Sequence, residues 1–377
     1  MPASSPLPRE AEILSRPVTI NGLTIPNRIV MSPMTRMHSL GGIPGENVAS
    51  YYARRAAAGV GLIMTEGTFV GHESAGGMDN IPVFHGEAQL AGWKAVADAV
   101  HAAGGRIMPQ IWHLGIMRPA GGKPYPDAPA IGPSGIALDG TEGAGKAMTQ
   151  QDIDDVIASF AEAAAAAERI GFDGVEVHGA HGFLIDQFLW TRTNRRADGY
   201  GGTLTARAKF AAEVVAAIRD SVSPGFPVHF RFSQWKNDNY DARIAETPQE
   251  LEAILTPLAE AGVDAFHAST RRYWVPEFDG SGLNLAGWAK KVTGKHAITV
   301  GSVGLGGGTD YIDTLFRGKG AALRNLDDLL DRLEAQEFDL VAVGRSLLQD
   351  PQWAQKVLAG RLDELNPFDV AALATLS

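Results

Sequence analysis

Apolar residues along this chain follow two rhythms that alternate from residue 18 to the C-terminus. Short runs rich in Val, Ile, Leu and Phe read as strands: 28–34, 62–66, 107–112, 174–178, 228–233, 265–268, 297–301 and 340–344. Between them lie stretches with apolar positions three and four apart, such as "NVASYYARRAAAG", "EAQLAGWKAVADAVHAAGG", "DIDDVIASFAEAAAAAERIG" and "TPQELEAILTPLAEAG", several of which end in the glycine that usually closes a helix. Ahead of the first unit, "VTINGLTI" reads as a hairpin turning at Asn21-Gly22, and residues 1–12 read as a loose tail. About eight strand–helix units without a linker predict one domain over 1–377, a (β/α)8 TIM barrel capped by an N-terminal β-hairpin. A doubly wound open sheet is the alternative, but no G-x-G-x-x-G turn follows the first strand. Two segments exceed ordinary loops, 114–148 after the third strand and 270–284 after the sixth, and both would lie at the C-terminal rim of the barrel.

Strand alternation then assigns faces. Val175 and Val177 oppose Glu176 and His178; Val228, Phe230 and Phe232 oppose His229, Arg231 and Ser233; Ile107, Pro109 and Ile111 oppose Met108, Gln110 and Trp112. The apolar sets would face the helices, so the polar sets would point into the barrel. Buried Arg, His, Gln and Glu need partners. An internal polar network would provide them, and so would a ligand near the C-terminal strand ends, where barrel sites form. The last two strands end in "VGSVG" (300–304) and "VAVGRSL" (341–347), the usual place of a phosphate in this fold. With the inward Arg, Gln and His residues, they describe a cavity for a flat, phosphorylated, hydrogen-bonding cofactor, a description FMN meets.

Composition narrows the classes. Acidic residues exceed basic ones, 43 to 33, and no basic block offers a nucleic-acid footprint. Cysteine is absent, which excludes disulfides, thiolate clusters and a cysteine nucleophile. With no apolar run of membrane-spanning length, a cytoplasmic protein is expected, free of membrane partners and either monomeric or homodimeric.

The stretches "NRIVMSPMTR" (27–36), "YYARRAAAGVGLIMTEGT" (51–68), "PQIWHLG" (109–115), "VEVHGAHGFLIDQFL" (175–189), "TNRRADGYGGTLTAR" (193–207), "FRFS" (230–233) and "VAVGRSLLQDP" (341–351) occur in an order and spacing that carry a specific resemblance. From Ile13 to about Trp353 the chain resembles the Old Yellow Enzyme family of FMN-dependent NAD(P)H oxidoreductases. The resemblance implies non-covalent FMN, with NADPH or NADH as reductant. Pro33, Met34 and Thr35 would lie along the flavin, although a purely structural role for Thr35 stays open. Gly67 would let the backbone approach the ring, Gln110 would bond the pyrimidine edge, and Arg231 would stabilise the charge of reduced flavin. Gly301, Ser302, Val303, Gly344 and Arg345 would hold the phosphate.

His178 and His181 would donate to the carbonyl of an α,β-unsaturated substrate, with Trp112 flanking it. At position 183 the family usually carries a tyrosine that protonates the α-carbon, and this chain has Phe183. Water or another rim group, for which Tyr273 is the candidate, would then supply the proton. Alternatively the acceptor is a quinone or nitro compound, or alkene reduction is lost. Arg271, Arg272, Tyr273 and Trp274 form a cation–aromatic cluster that would cap the flavin or bind substrate, unless it is a packed surface turn. Two rivals remain: a metal-dependent hydrolase using His178, His181, Glu176 and His113, and a non-catalytic flavin-binding barrel. No metal is expected, because an inward Arg231 would repel a cation.

Overall fold

A computed structural model describes residues 7–306, 314 and 317–377. The hairpin is β1 (Val18–Ile20) and β2 (Leu23–Ile25), antiparallel, with Asn21 and Gly22 both at positive φ (40° and 86°) as an Asn-Gly turn requires. The barrel strands are β3 (Ile29–Met31), β4 (Leu62–Phe69), β5 (Ile107–Trp112), β8 (Val175–His181), β9 (Val228–Lys236), β10 (Ala265–Ser269), β11 (His296–Val300) and β12 (Leu340–Val343). They close in the order β10-β11-β12-β3-β4-β5-β8-β9, each parallel to its neighbours. Two further short strands, β6 (Ile131–Gly132) and β7 (Lys146–Ala147), pair inside the long segment after β5. The expected TIM barrel with its hairpin is the fold observed.

Helices follow the predicted stretches and start where their caps allow. Thr149 caps Gln150–Arg169 in a reciprocal box with Asp152, and Thr247 with Pro248 opens Pro248–Ala261, which ends on left-handed Gly262. Outward residues of the strands, including Val175, Val177, Phe230, Phe232 and Phe266, join the main apolar core under these helices. A second core lies inside the barrel, where Val30, Leu62, Met64, Met108, Ala265, Ile298 and Leu340 pack against Val18, Ile20 and Ile25 of the hairpin. The hairpin therefore plugs the N-terminal mouth.

The tail expected to be loose over 1–12 is ordered from Arg9. Arg9–Leu14 forms a helix because Ala11, Ile13 and Leu14 bury their side chains, while Arg9 pairs with Asp331 and, at 2.7 Å, with Glu334. Among the described residues no helix is long and apolar enough to cross a membrane.

Candidate active site

A cavity of about 640 Å³ opens at the C-terminal end of the barrel. Strand register builds its floor: Gln110 lies beside Glu176, His178 beside Arg231, and Arg231 beside His267. These side chains are almost fully buried, none more than 7% exposed, and apart from His178 they satisfy one another. Gln110 Nε2 donates to Glu176 (2.8 Å), and the other Glu176 oxygen takes a hydrogen bond from His267 Nδ1 (2.6 Å). Arg231 donates to His267 Nε2 (3.1 Å), Ser269 Oγ (3.2 Å) and Ser32 Oγ (3.4 Å). Arginine only donates, so His267 accepts at Nε2 and carries its proton on Nδ1 toward Glu176. Burial opposes the charge on Glu176, yet the hydrogen bond from His267 and the field of Arg231 outweigh it and hold the carboxyl below its usual range. Arg231 keeps its charge, lowered by burial only to about 10, and among the described residues it has no carboxylate of its own.

The two histidines of "HGAH" sit three apart on a strand of period two, which would send them to opposite faces. A register shift between Gly179 and His181, together with left-handed backbone at His181 (φ 65°), turns the second ring back toward the cavity. Such backbone at a non-glycine residue costs on the order of 1 kcal/mol or more. The turn is pinned by a wholly buried ion pair, Lys236 to Asp186 at 2.8 Å, whose carboxylate also takes the Gly182 N–H at 2.6 Å. The His178 and His181 rings lie edge to face at 5.3 Å. Burial, reinforced by Arg231, pushes His178 down to about 3, and burial with the neighbouring His178 pushes His181 well below the ordinary range. Both rings are therefore neutral at pH 7. His178 Nδ1 has no partner, while His181 Nε2 meets Ser269 Oγ at 2.7 Å.

Aromatic rings close round this pair. Trp112 lies 5.8 Å from His178 and 4.6 Å from Phe183, and Trp235 lies 4.4 Å from His181. Gly67 makes room for Trp112, since a Cβ there would come within 2.5 Å of the indole. Pro33, Met34 and Thr35 form the side wall, and the loop beyond them hangs from Glu66, which accepts the N–H groups of Arg36 (2.8 Å) and Met37 (3.2 Å). At the far end, Gly301 (φ 139°), Ser302 (φ 54°) and Val303 face Gly344 and Arg345. Arg345 donates to Ser302 Oγ (3.2 Å), and helix Arg345–Gln349 starts at Gly344 without a capping side chain.

Every residue expected to touch cofactor lines this cavity, as do His178, His181, Trp112 and Phe183. Tyr273 and Trp274 do not, which corrects their assignment to substrate binding and removes Tyr273 as a proton donor. Tyr273 is fully buried in the outer core, and Trp274 stacks under Arg324 at 3.8 Å. Their loop turns outward after Arg271, which lines the cavity and covers Tyr240 at 3.9 Å. Sequence reasoning missed His267, Ser269, Ser32 and Trp235. The first two share the inward parity of Ala265, a signal available in "AFHAS". The hydrolase ligand set does not assemble: Glu176 is taken by His267 and Gln110, and His113 pairs with His72 at 3.4 Å. Among the described residues no three His, Asp or Glu side chains gather as metal ligands.

Comparison with known proteins agrees with this geometry. The family model described as NADH:flavin oxidoreductase / NADH oxidase matches residues 14–312. The chain belongs to this family, the Old Yellow Enzymes. It is 33% identical over 356 residues to an NADH oxidase of Thermoanaerobacter brockii, covering 92% of this chain and 50% of that protein. It is 38% identical over 207 residues to 12-oxophytodienoate reductase 7 of Oryza sativa subsp. japonica, 52% of each. The chain thus spans about half the length of these two relatives. Among solved structures, morphinone reductase in complex with tetrahydroNAD superposes with a TM-score of 0.75 at 28% identity, over 96% of this chain and 93% of that one. Old Yellow Enzyme from Pichia sp. AKU4542 shares the fold, with a TM-score of 0.77 at 24% identity over 96% and 90%. Members of this family bind flavin and use a nicotinamide reductant.

Proposed function

We propose that this flavin oxidoreductase holds FMN non-covalently in the cavity and reduces the C=C bond of α,β-unsaturated carbonyl compounds with NAD(P)H. The observation that carries the reading is the pair of neutral imidazoles, His178 and His181, set on one wall beside the buried charge of Arg231.

The donor set fits an isoalloxazine with a phosphate tail. Gln110 spends its NH2 on Glu176, which leaves its carbonyl oxygen to accept the pyrimidine N–H. Arg231 offers a buried cation to the neighbouring carbonyl edge, where charge gathers on reduction. Met34 and Thr35 would lie along the ring, with the Gly67 backbone beside it and Trp112 packed where a side chain on Gly67 would stand. The uncapped helix start at Gly344, Arg345 and the turn of Gly301, Ser302 and Val303 suit a phosphate. Bound there, FMN would accept hydride from NAD(P)H and pass it to the β-carbon of the acceptor.

The protein's part is polarisation. Ser269 accepts from Arg231 and can turn its own proton to His181 Nε2; in that tautomer the His181 proton sits on Nδ1 and can be donated. Two N–H donors on one carbonyl oxygen draw electrons from the enone and stabilise the enolate-like transition state. Trp112, Phe183 and Trp235 would wall the substrate on its apolar side. Among the described lining residues there is no Tyr, Asp, Glu, Lys or Cys, so the α-carbon proton would come from water. The same observation favours a second reading, in which a quinone or nitro acceptor, needing no proton on carbon, is reduced at this site.

Anaerobic visible spectra test both. Bleaching of a flavin band by NADPH or NADH, followed by its return with cyclohexenone, is expected for the ene-reductase. Return with a quinone but not with the enone would select the second reading, and no flavin band after reconstitution with FMN would reject both.

A further inference from the structure

Arg231 is a buried guanidinium with no carboxylate of its own, yet it is not electrically alone. His267 Nε2 accepts from it at 3.1 Å, and His267 Nδ1 donates to Glu176 at 2.6 Å. The three groups come from adjacent strands β10, β9 and β8, and Glu176 and His267 are completely buried. A cation and an anion thus face one another across a neutral imidazole. Neither Glu176 nor His267 bears on the cavity; Glu176 reaches it through Gln110 and, by way of His267, through Arg231.

Resting on the flavin reading above, we infer that Glu176 and His267 are positioning residues that set how much of the Arg231 charge the flavin feels. Through the imidazole, the carboxylate offsets part of that charge and keeps reduced flavin from being held too tightly to give up its hydride.

The holoenzyme and its Glu176→Gln and Glu176→Asp variants test this. Gln accepts the same His267 proton without the charge, whereas Asp keeps the charge. The readout is the affinity for reduced over oxidised FMN, obtained from the midpoint potential of bound against free flavin. Removing a buried charge this close should raise the ratio about tenfold in Glu176→Gln and raise the potential, whereas Glu176→Asp should stay near the unmodified protein. A Gln variant that binds FMN with an unchanged or lower ratio overturns the inference, and so does an equal shift in Asp. Should the Gln variant not fold, nitrogen NMR of the unmodified holoenzyme decides. His267 should appear as the neutral Nδ1–H form, with a signal that moves on flavin reduction; a doubly protonated ring or an unmoved signal overturns the inference. FMN that fails to bind the unmodified protein would instead reject the reading of the cavity.

Discussion

The lower and upper halves of the barrel interior are made by the same strands and have opposite chemistry. Below, inward positions are Val30, Leu62, Met64, Met108, Ala265 and Leu340, packed against the hairpin, with the buried His229 beside Ala265 as the polar exception. Above, on the same inward faces, stand Gln110, His178, Arg231, His267 and Ser269. On β5 the change falls between Met108 and Gln110, and on β10 between Ala265 and His267, one step of the alternation in each case. The lower half stabilises the barrel by burying apolar surface. The upper half spends stability to keep a cation, an anion and several imidazoles out of water. Fold and chemistry are thus separated by height within one closed sheet.

The comparison breaks most sharply if one substitution in each half has the same consequence. Leu62→Ala should cost about 2–5 kcal/mol in urea unfolding and leave the flavin spectrum intact. Arg231→Ala should weaken FMN binding by about a hundredfold or more, read as flavin released on gel filtration. Flavin loss in Leu62→Ala would show the halves to be coupled.

Within the upper half, His178→Ala should lower kcat/KM for enones by about 10²–10³-fold with FMN retained. Because His178 protonates only near pH 3, the unmodified enzyme should show no histidine limb between pH 5 and 9 in stopped-flow reoxidation.

Glu66 sharpens the contrast in stability. Burial raises its carboxyl from 4.5 to about 7, against the pull of the Arg36 and Met37 N–H groups. The folded state therefore holds that proton more tightly, and this contribution to stability is lost as pH rises from about 4.5 through 7. Glu66→Gln should gain on the unmodified protein at pH 8 relative to pH 5 by on the order of 1–3 kcal/mol, measured by paired denaturant melts. No such pH-dependent gain is expected from any lower-half substitution.

Phe183→Tyr is the mildest change. It should speed enone reduction about tenfold if proton delivery from water limits turnover, and product deuterium labelling in D2O would show whether the added hydroxyl makes protonation one-sided.

The barrel was legible because period-two strands and glycine-ended helices alternate without interruption, and part of the cavity wall because Gly67, Gln110, His178 and Arg231 sit on those strands. The missed and misplaced residues lie where periodicity fails. His267 sits in a short strand where the small residues Ala265, Ala268 and Ser269 blunt the alternation. β9 continues to Lys236, three residues past its predicted end, and so brings in Trp235. Tyr273 and Trp274 lie in a loop, where no repeat says which way a side chain turns, and apolar burial took Tyr273 outward. The turn at His181 depends on a bulge that alternation cannot foresee.

The hairpin has a bearing on traffic as well as on packing. With β1 and β2 seated in the N-terminal mouth, the barrel is a blind vessel, filled and emptied through its rim. On the proposed function, a nicotinamide and an acceptor would share the His178–His181 wall as well as this door, the first leaving before the second enters. Such alternate occupancy would give parallel double-reciprocal lines in steady-state kinetics, with an excess of either visitor blocking the other.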